Sequence, residues 1–349
     1  MSMRRFNSNY EDVERNPEAE LFAFKEAASA GNTDAMMALG EIYSEDYYAY
    51  LMSEPDMPAA IAWYKKAADS GVADAMMALG EIAEREESPE AVSWYEKAFT
   101  AGDNRAAGAM MKHFYWDKNY EKVYEWIQKG QSQNAEHPYA QYFLGLLYME
   151  GKGAVSQDNE KARICLKKAA EVDILAAMFV LGDIYRDGVG IEASREKALE
   201  WYQKVKNKAD VFEASIAYWQ LKEPEENTWI FEVLRDVLVS KLDVDAKDIQ
   251  RESRFVADLG MDSLDIVESI MAIEETFGTE IFDEEVGAMS TVQDLVDTLV
   301  RKNQHGECTI EDGDEERQHI NLCSTPRKTY LKGMWLEIAD SLYETTIDS

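Results

Sequence analysis

What this 349-residue chain has little of narrows its possible classes first. Its three cysteines, Cys165, Cys308 and Cys323, are too few and too scattered for a disulfide framework. Long apolar runs are missing, so no stretch is read as a membrane span. Arg4 and Arg5 stand near the start, but no apolar segment follows them to make a secretory leader. Together these absences make the cytoplasm the expected location. Basic charge is scarce as well, with 36 Lys and Arg against 68 Asp and Glu and a net charge of −32. Phosphate backbones need neutralising cations, so nucleic acid is excluded as the main partner, and basic protein surfaces are favoured instead. What is there is an ordinary globular share of apolar residues, 46%, enough for two or three domains with their own cores.

The first two thirds of the chain repeats itself. DAMMALGEI occurs at 34–42 and again, letter for letter, at 74–82, and looser copies follow. Aligned on the leading alanine, the copies start at 35, 75, 109, 140 and 177. Each is followed by a second helical phrase, such as Trp63-Tyr-Lys-Lys, Trp94-Tyr-Glu-Lys and Trp201-Tyr-Gln-Lys, with Trp126 and Cys165 marking the third and fourth. Two helices per 31–40 residues is the pattern of an α-solenoid. This region resembles the Sel-one-like repeats, relatives of the tetratricopeptide repeat. The resemblance implies stacked hairpins with a surface for a protein ligand. Two departures stand out. A Tyr-rich insert runs from about Ser44 to Met57, and the third copy puts His113 and Phe114 where the others have Leu-Gly. His113 and Cys165 are read as core residues, and the paired methionines at 36–37, 76–77 and 110–111 as packing.

A second pattern occupies residues 227–303. Ser263 follows Asp262, a good N-cap, and precedes Asp265 in what reads as the first turn of an amphipathic helix. Leu264, Val267, Ile270, Met271, Ile273 and Phe277 recur at helical spacing, with Glu268, Glu274 and Glu275 on the other side. A lone serine without a base is a poor nucleophile and a good substrate for modification. The segment 255–265, FVADLGMDSLD, and its continuation through Ser290-Thr-Val-Gln resemble a type II acyl carrier protein over a whole domain. The resemblance implies that a phosphopantetheinyl transferase places 4'-phosphopantetheine, from coenzyme A, on the Ser263 hydroxyl. It implies a four-helix bundle, with helices near 229–241, 263–278, 283–288 and 292–302. Asp262, Leu264, Asp265, Glu268, Met271, Glu274 and Glu275 would meet partners. Phe255, Val256, Val267, Ile270, Ile273, Phe277, Met289 and Leu295 would shelter the acyl chain. The domain carries a net charge of −11 over 227–302, suited to acyl-activating or acyl-transferring enzymes with basic docking patches. Phe282 stands where the family pattern often has proline.

The expected architecture is therefore all-α. An N-terminal tail (1–15) precedes a Sel-one-like solenoid (16–221), a charged linker (222–226) and the carrier domain (227–303). An acidic linker (304–327) then leads to an amphipathic helix (328–349) with Leu331, Met334, Trp335, Ile338 and Leu342 on one stripe. His305, Cys308, His319 and Cys323 have zinc-capable spacing within an acidic, loop-like context, and no metal site is assigned to them. No nucleophile–base pair occurs elsewhere. The function expected is a non-catalytic carrier in fatty acid or specialised lipid biosynthesis. The alternative is an interaction adaptor that uses the acidic domain and the repeats only for docking.

Overall fold

The computed structural model describes residues 17–44, 56–135, 137–208, 212–223, 225–242 and 244–304. Most of the Tyr-rich insert, the four zinc-capable side chains and the expected C-terminal helix lie outside them. The described residues form α-helices and no strands, as the repeat pattern requires. The helices are α1 (Pro17–Ser29), α2 (Thr33–Ser44), α3 (Met57–Asp69), α4 (Ala73–Arg85), α5 (Glu90–Thr100), α6 (Arg105–Trp116), α7 (Tyr120–Gln133) and α8 (Pro138–Glu150). They continue with α9 (Asn159–Glu171), α10 (Leu175–Asp187), α11 (Arg195–Lys206), α12 (Phe212–Lys222), α13 (Glu226–Lys241), α14 (Ser263–Phe277), α15 (Asp283–Ala288) and α16 (Val292–Gln304). The chain divides into two compact units, residues 1–165 and 166–349, with the division inside α9.

In the first unit each helix from α1 to α8 packs on the next, and α6 also touches α8. The Leu-Gly and Trp-Tyr phrases explain the packing. Tyr95 of α5 is buried with its ring against Gly80 of α4, where an added Cβ would lie 2.5 Å from Tyr95 Cε1. Only glycine lets the ring come so close. The Tyr95 hydroxyl then donates to Glu84 Oε2 at 2.9 Å. The neighbouring tryptophans have a different task. Lys66, Lys97 and Lys129 lie 3.7, 3.8 and 4.2 Å above the rings of Trp63, Trp94 and Trp126 three residues before them, as one helical turn allows.

The third repeat is present but two residues out of the register read from its alanines. Ala107 and Met111 are fully buried, as Ala75 and Leu79 are, so Lys112 and not Phe114 takes the place of Gly80. Ile127 correspondingly takes the place of Tyr95. His113 is consequently not a core residue. It lies half-buried with Nδ1 3.6 Å from Glu84 and Nε2 3.6 Å from Asp117. The hydrogen bond to Glu84 raises its pKa above the ordinary value, against the opposing effect of burial. Cys165 is buried, as expected.

The second unit begins with the same device. Gly182 of α10 meets the ring of Tyr202 in α11, whose hydroxyl donates to Asp183 at 2.7 Å and accepts from Arg186 at 2.9 Å. Burial pushes the Asp183 carboxyl up to about 6, against the lowering effect of Arg186. Three residues, 223–225, lie between the helices at the expected linker, since α12 runs to Lys222 and α13 starts at Glu226. Ile216 of α12 is buried in one core with Trp229, Ile230, Val233, Leu234 and Val237 of α13, and Trp219 packs against it. Asp236 of α13 accepts three hydrogen bonds from the other side, from Lys206 Nζ (2.9 Å), Ser215 Oγ (2.7 Å) and Trp219 Nε1 (2.7 Å). The same core continues into α14 and α16 through Ile273, Phe277, Leu295, Val296 and Leu299.

Candidate functional site

The turn before α14 is built to deliver one serine. Leu259 and Met261 are buried and plug it into the core. Asp258 accepts from the Arg254 backbone N–H and Nε, both at 2.9 Å, and from Nη2 at 3.0 Å. That guanidinium, with the backbone bond, holds the Asp258 carboxyl down to about 2. Gly260 takes φ 70°, a left-handed conformation that suits glycine and turns the chain into the helix. Asp262 is the N-cap, its Oδ1 accepting from the N–H groups of Leu264 (2.7 Å) and Asp265 (3.0 Å). Asp265 Oδ2 returns the bond to the Asp262 N–H at 2.8 Å, which completes a capping box. Ser263 is the first residue of α14 and is exposed. No hydrogen bond among the described residues engages its hydroxyl.

The acidic residues of α14 do not all serve one purpose. Asp262 and Asp265 spend hydrogen bonds on each other's backbone. Glu274 is half-buried and accepts from the Ile281 N–H at 2.6 Å, tying down the loop after the helix. Glu268 and Glu275 are exposed. Leu264 and Met271 are 62% exposed each, so the helix start carries apolar surface among acids.

The residues expected around the acyl chain divide into two groups. Ile273, Phe277 and Leu295 are buried in the bundle core, and Phe255, Ile270 and Met289 pack against it. Phe277 also stacks on Trp229 at 6.3 Å between ring centroids. Val256 and Val267 do not belong there, being 66% and 53% exposed. The correction follows from helix geometry. The inward stripe of α14 is Ile266, Ser269, Ile270, Ile273 and Phe277, and at about 100° per residue Leu264, Val267 and Met271 fall on the opposite side. Val256 follows a residue that turns inward, and itself turns out. Sequence reading missed Ile266, Leu259, Met261 and Ile281 as core. A stripe started at 266 would have found the first, but Ser269 and Thr276, both buried, break its apolar character.

An open cleft of about 420 Å³ lies between α15 and α16, lined by Glu284, Glu285, Met289, Asp294, Asp297 and Arg301 among others. Of the expected acyl-chain residues only Met289 borders it. Phe282, at the N-cap of α15, is exposed, with Lys302 Nζ 5.0 Å from its ring centre. The arrangement has an exposed hydroxyl and a compact bundle behind it. The start of α14 suits the anionic phosphate of a phosphopantetheine arm, because the helix dipole offsets part of the acidity around it.

Comparison with known proteins finds a repeat family and a carrier family along the chain. The family described as "phosphopantetheine attachment site" matches residues 232–299, and the Sel1 repeat matches 33–72, 73–103, 138–173 and 175–206. The acyl carrier protein of Wolinella succinogenes is 49% identical over 67 residues, which is 19% of this chain and 88% of that protein. That of Clostridium acetobutylicum is 50% identical over 70 residues, covering 20% and 91%. Among solved structures, a Sel1 repeat protein from Oxalobacter formigenes aligns with 56% of this chain and 82% of its own, at 28% identity and a TM-score of 0.45. Among the described residues no helix is long and apolar enough to cross a membrane, and no cluster of side chains could hold a metal. The carrier domain is non-catalytic and bears covalently attached 4'-phosphopantetheine. This chain belongs to the acyl carrier protein family through its C-terminal bundle, which it joins to an array of Sel1 repeats.

Proposed function

We propose that Ser263 is the attachment point of the 4'-phosphopantetheine arm and that the chain presents acyl groups to enzymes recruited by its repeats in the cytoplasm. The arm supplies a thiol on which an acyl group is held as a thioester. The chain's own residues cap the helix, expose the hydroxyl and offer a contact surface of Leu264, Glu268, Met271 and Glu275. The observation that carries this reading is the exposed, unengaged Ser263 at a capped helix start, within a segment matched over nearly the full length of free-standing carriers. The partner is an acyl-activating or acyl-transferring enzyme with a basic, partly apolar patch, since acids flank apolar side chains on α14.

Incubation with coenzyme A and a phosphopantetheinyl transferase should add one arm by intact mass, and Ser263→Ala should abolish it. An unchanged mass for the wild type would overturn the reading. The repeats favour one rival, an adaptor in which the arm is dispensable. Pull-downs with wild type and Ser263→Ala separate the two: loss of most partners supports the carrier, and an unchanged set supports the adaptor.

A further inference from the structure

The first helix of the carrier bundle is apolar over more than half of its circumference. Trp229, Ile230, Phe231, Val233, Leu234, Val237 and Leu238 of α13 are all buried. A helix with one packed face keeps the rest of its circumference polar, so α13 has two. One faces α14 and α16, and the other faces α12, the helix that follows the last repeat. On that second face the Asp236 carboxylate gathers Lys206 from α11 and Ser215 and Trp219 from α12, at 2.7–2.9 Å. Only Glu223–Glu225 separate α12 from α13. Arg195 of α11 donates to the carbonyls of Leu221 (3.0 Å) and Lys222 (2.9 Å), which fastens the end of α12. At the start of α13, Arg251 Nη2 holds the Asn227 carbonyl at 2.9 Å.

We infer that the carrier is a fixed station on the last repeat, with Asp236 as the positioning residue that sets its bearing. A carrier on a free linker samples many orientations, and its partner must capture one of them. Here α10–α16 form one body, in which α13 both closes the repeat stack and opens the carrier bundle. Ser263 therefore leaves that body in one direction, and the arm, not the domain, travels. An enzyme that touches the last repeat and α14 together gains the advantage of two linked contacts at a defined spacing. The Asp236 carboxylate, holding one ammonium and two neutral donors at 2.7–2.9 Å, fixes α13 against α11 and α12, since separation gives up three hydrogen bonds together. The consequence for delivery rests on the reading of Ser263 above, while the fixed geometry does not.

The test uses the full chain. Amide ¹⁵N relaxation and residual dipolar couplings, measured on deuterated protein, report tumbling and orientation for each helix. Amides of α14 and α16 should share one correlation time and one alignment tensor with those of α10 and α11. Faster tumbling of α14 and α16, as for a domain of about 80 residues, would overturn the inference. Asp236→Ala should shorten the correlation time of the carrier helices relative to α10 and α11, and Asp236→Asn, which keeps an acceptor for Ser215 and Trp219, should restore most of the coupling. Unaltered tumbling in Asp236→Ala would remove Asp236 from the positioning role. Should Asp236→Ala fail to fold, the pair Ser215→Ala and Trp219→Phe takes its place under the same criteria. Arm loading, read by mass in the same samples, stays at wild-type level if the effect is one of orientation. A chain that tumbles as one body yet takes no arm refutes the carrier reading alone; one that loads its arm but tumbles as two refutes this one alone.

Discussion

The capping box at the start of α14 gives the sharpest quantitative expectation, because two substitutions at Asp262 separate its parts. Asp262→Ala removes the oxygen that receives the Leu264 and Asp265 N–H groups, together with a negative charge at the positive end of a helix. Loss of an N-cap oxygen costs about 1 kcal/mol, and loss of the charge about 0.3–1 kcal/mol. Asp262→Asn keeps an acceptor oxygen in the same place and loses only the charge. The alanine variant should therefore open the first turns about 10-fold more often, and the asparagine variant less than about 5-fold. The reporter is hydrogen exchange of the Ile266 amide, which bonds the Asp262 carbonyl at 3.1 Å as the first rung of the helix. The measurement is made on the full chain under conditions where exchange follows the opening equilibrium. Equal exchange in wild type and Asp262→Ala would refute the account of how Ser263 is presented. Equal loss in the two variants would assign the effect to charge and not to capping.

Three further outcomes are expected. Gly80→Ala forces a Cβ into the Tyr95 ring and should cost about 1–3 kcal/mol by thermal unfolding; adding Tyr95→Ile should recover part of that, and strictly additive losses would refute the ring contact. Asp183 has a folded pKa of about 6, raised from 3.8, so it binds its proton earlier in the folded chain than in the unfolded one. Its contribution is complete below 3.8 and lost above 6, so between pH 7.5 and pH 5 the wild type should gain about 1.4 kcal/mol on Asp183→Asn in urea unfolding, and a flat difference would refute it. Met271→Ala should leave stability within about 0.5 kcal/mol, since the side chain is 62% exposed, yet raise the KM of a phosphopantetheinyl transferase several-fold; a drop in stability with unchanged KM would place Met271 in the core.

Much of this was legible in the chain itself. Exact duplication of nine residues at 34–42 and 74–82 announces a repeat, and the Trp-Tyr phrases announce its second helix. The start of α14 was equally plain, since an Asp–Ser–x–Asp sequence before an apolar stripe allows few other structures. What stayed hidden depends on partners far away in sequence. Val267 could be put inside or outside because α14 carries two apolar stripes, and only packing decides which one the core takes. Glu274 looked like a docking acid until its bond to the Ile281 N–H, seven residues on, was seen. Asp236 gave no sign at all, as its donors sit 17–30 residues earlier on two other helices.

The Gly80–Tyr95 contact has a bearing on how such an array can diverge. A glycine and a ring that interlock can hardly be altered one at a time, since a side chain on the first strikes the second, and loss of the second leaves a hole over the first. The third repeat shows both members exchanged, Lys112 for the glycine and Ile127 for the tyrosine, with the lysine ammonium now 3.2 Å from Glu84, the carboxylate that the Tyr95 hydroxyl also bonds. It keeps its two helices, yet the Sel1 pattern passes over residues 104–137. The two-helix shape thus does not depend on the glycine and the ring once both are exchanged together. The four repeats that match all carry the glycine, as Gly40, Gly80, Gly145 and Gly182.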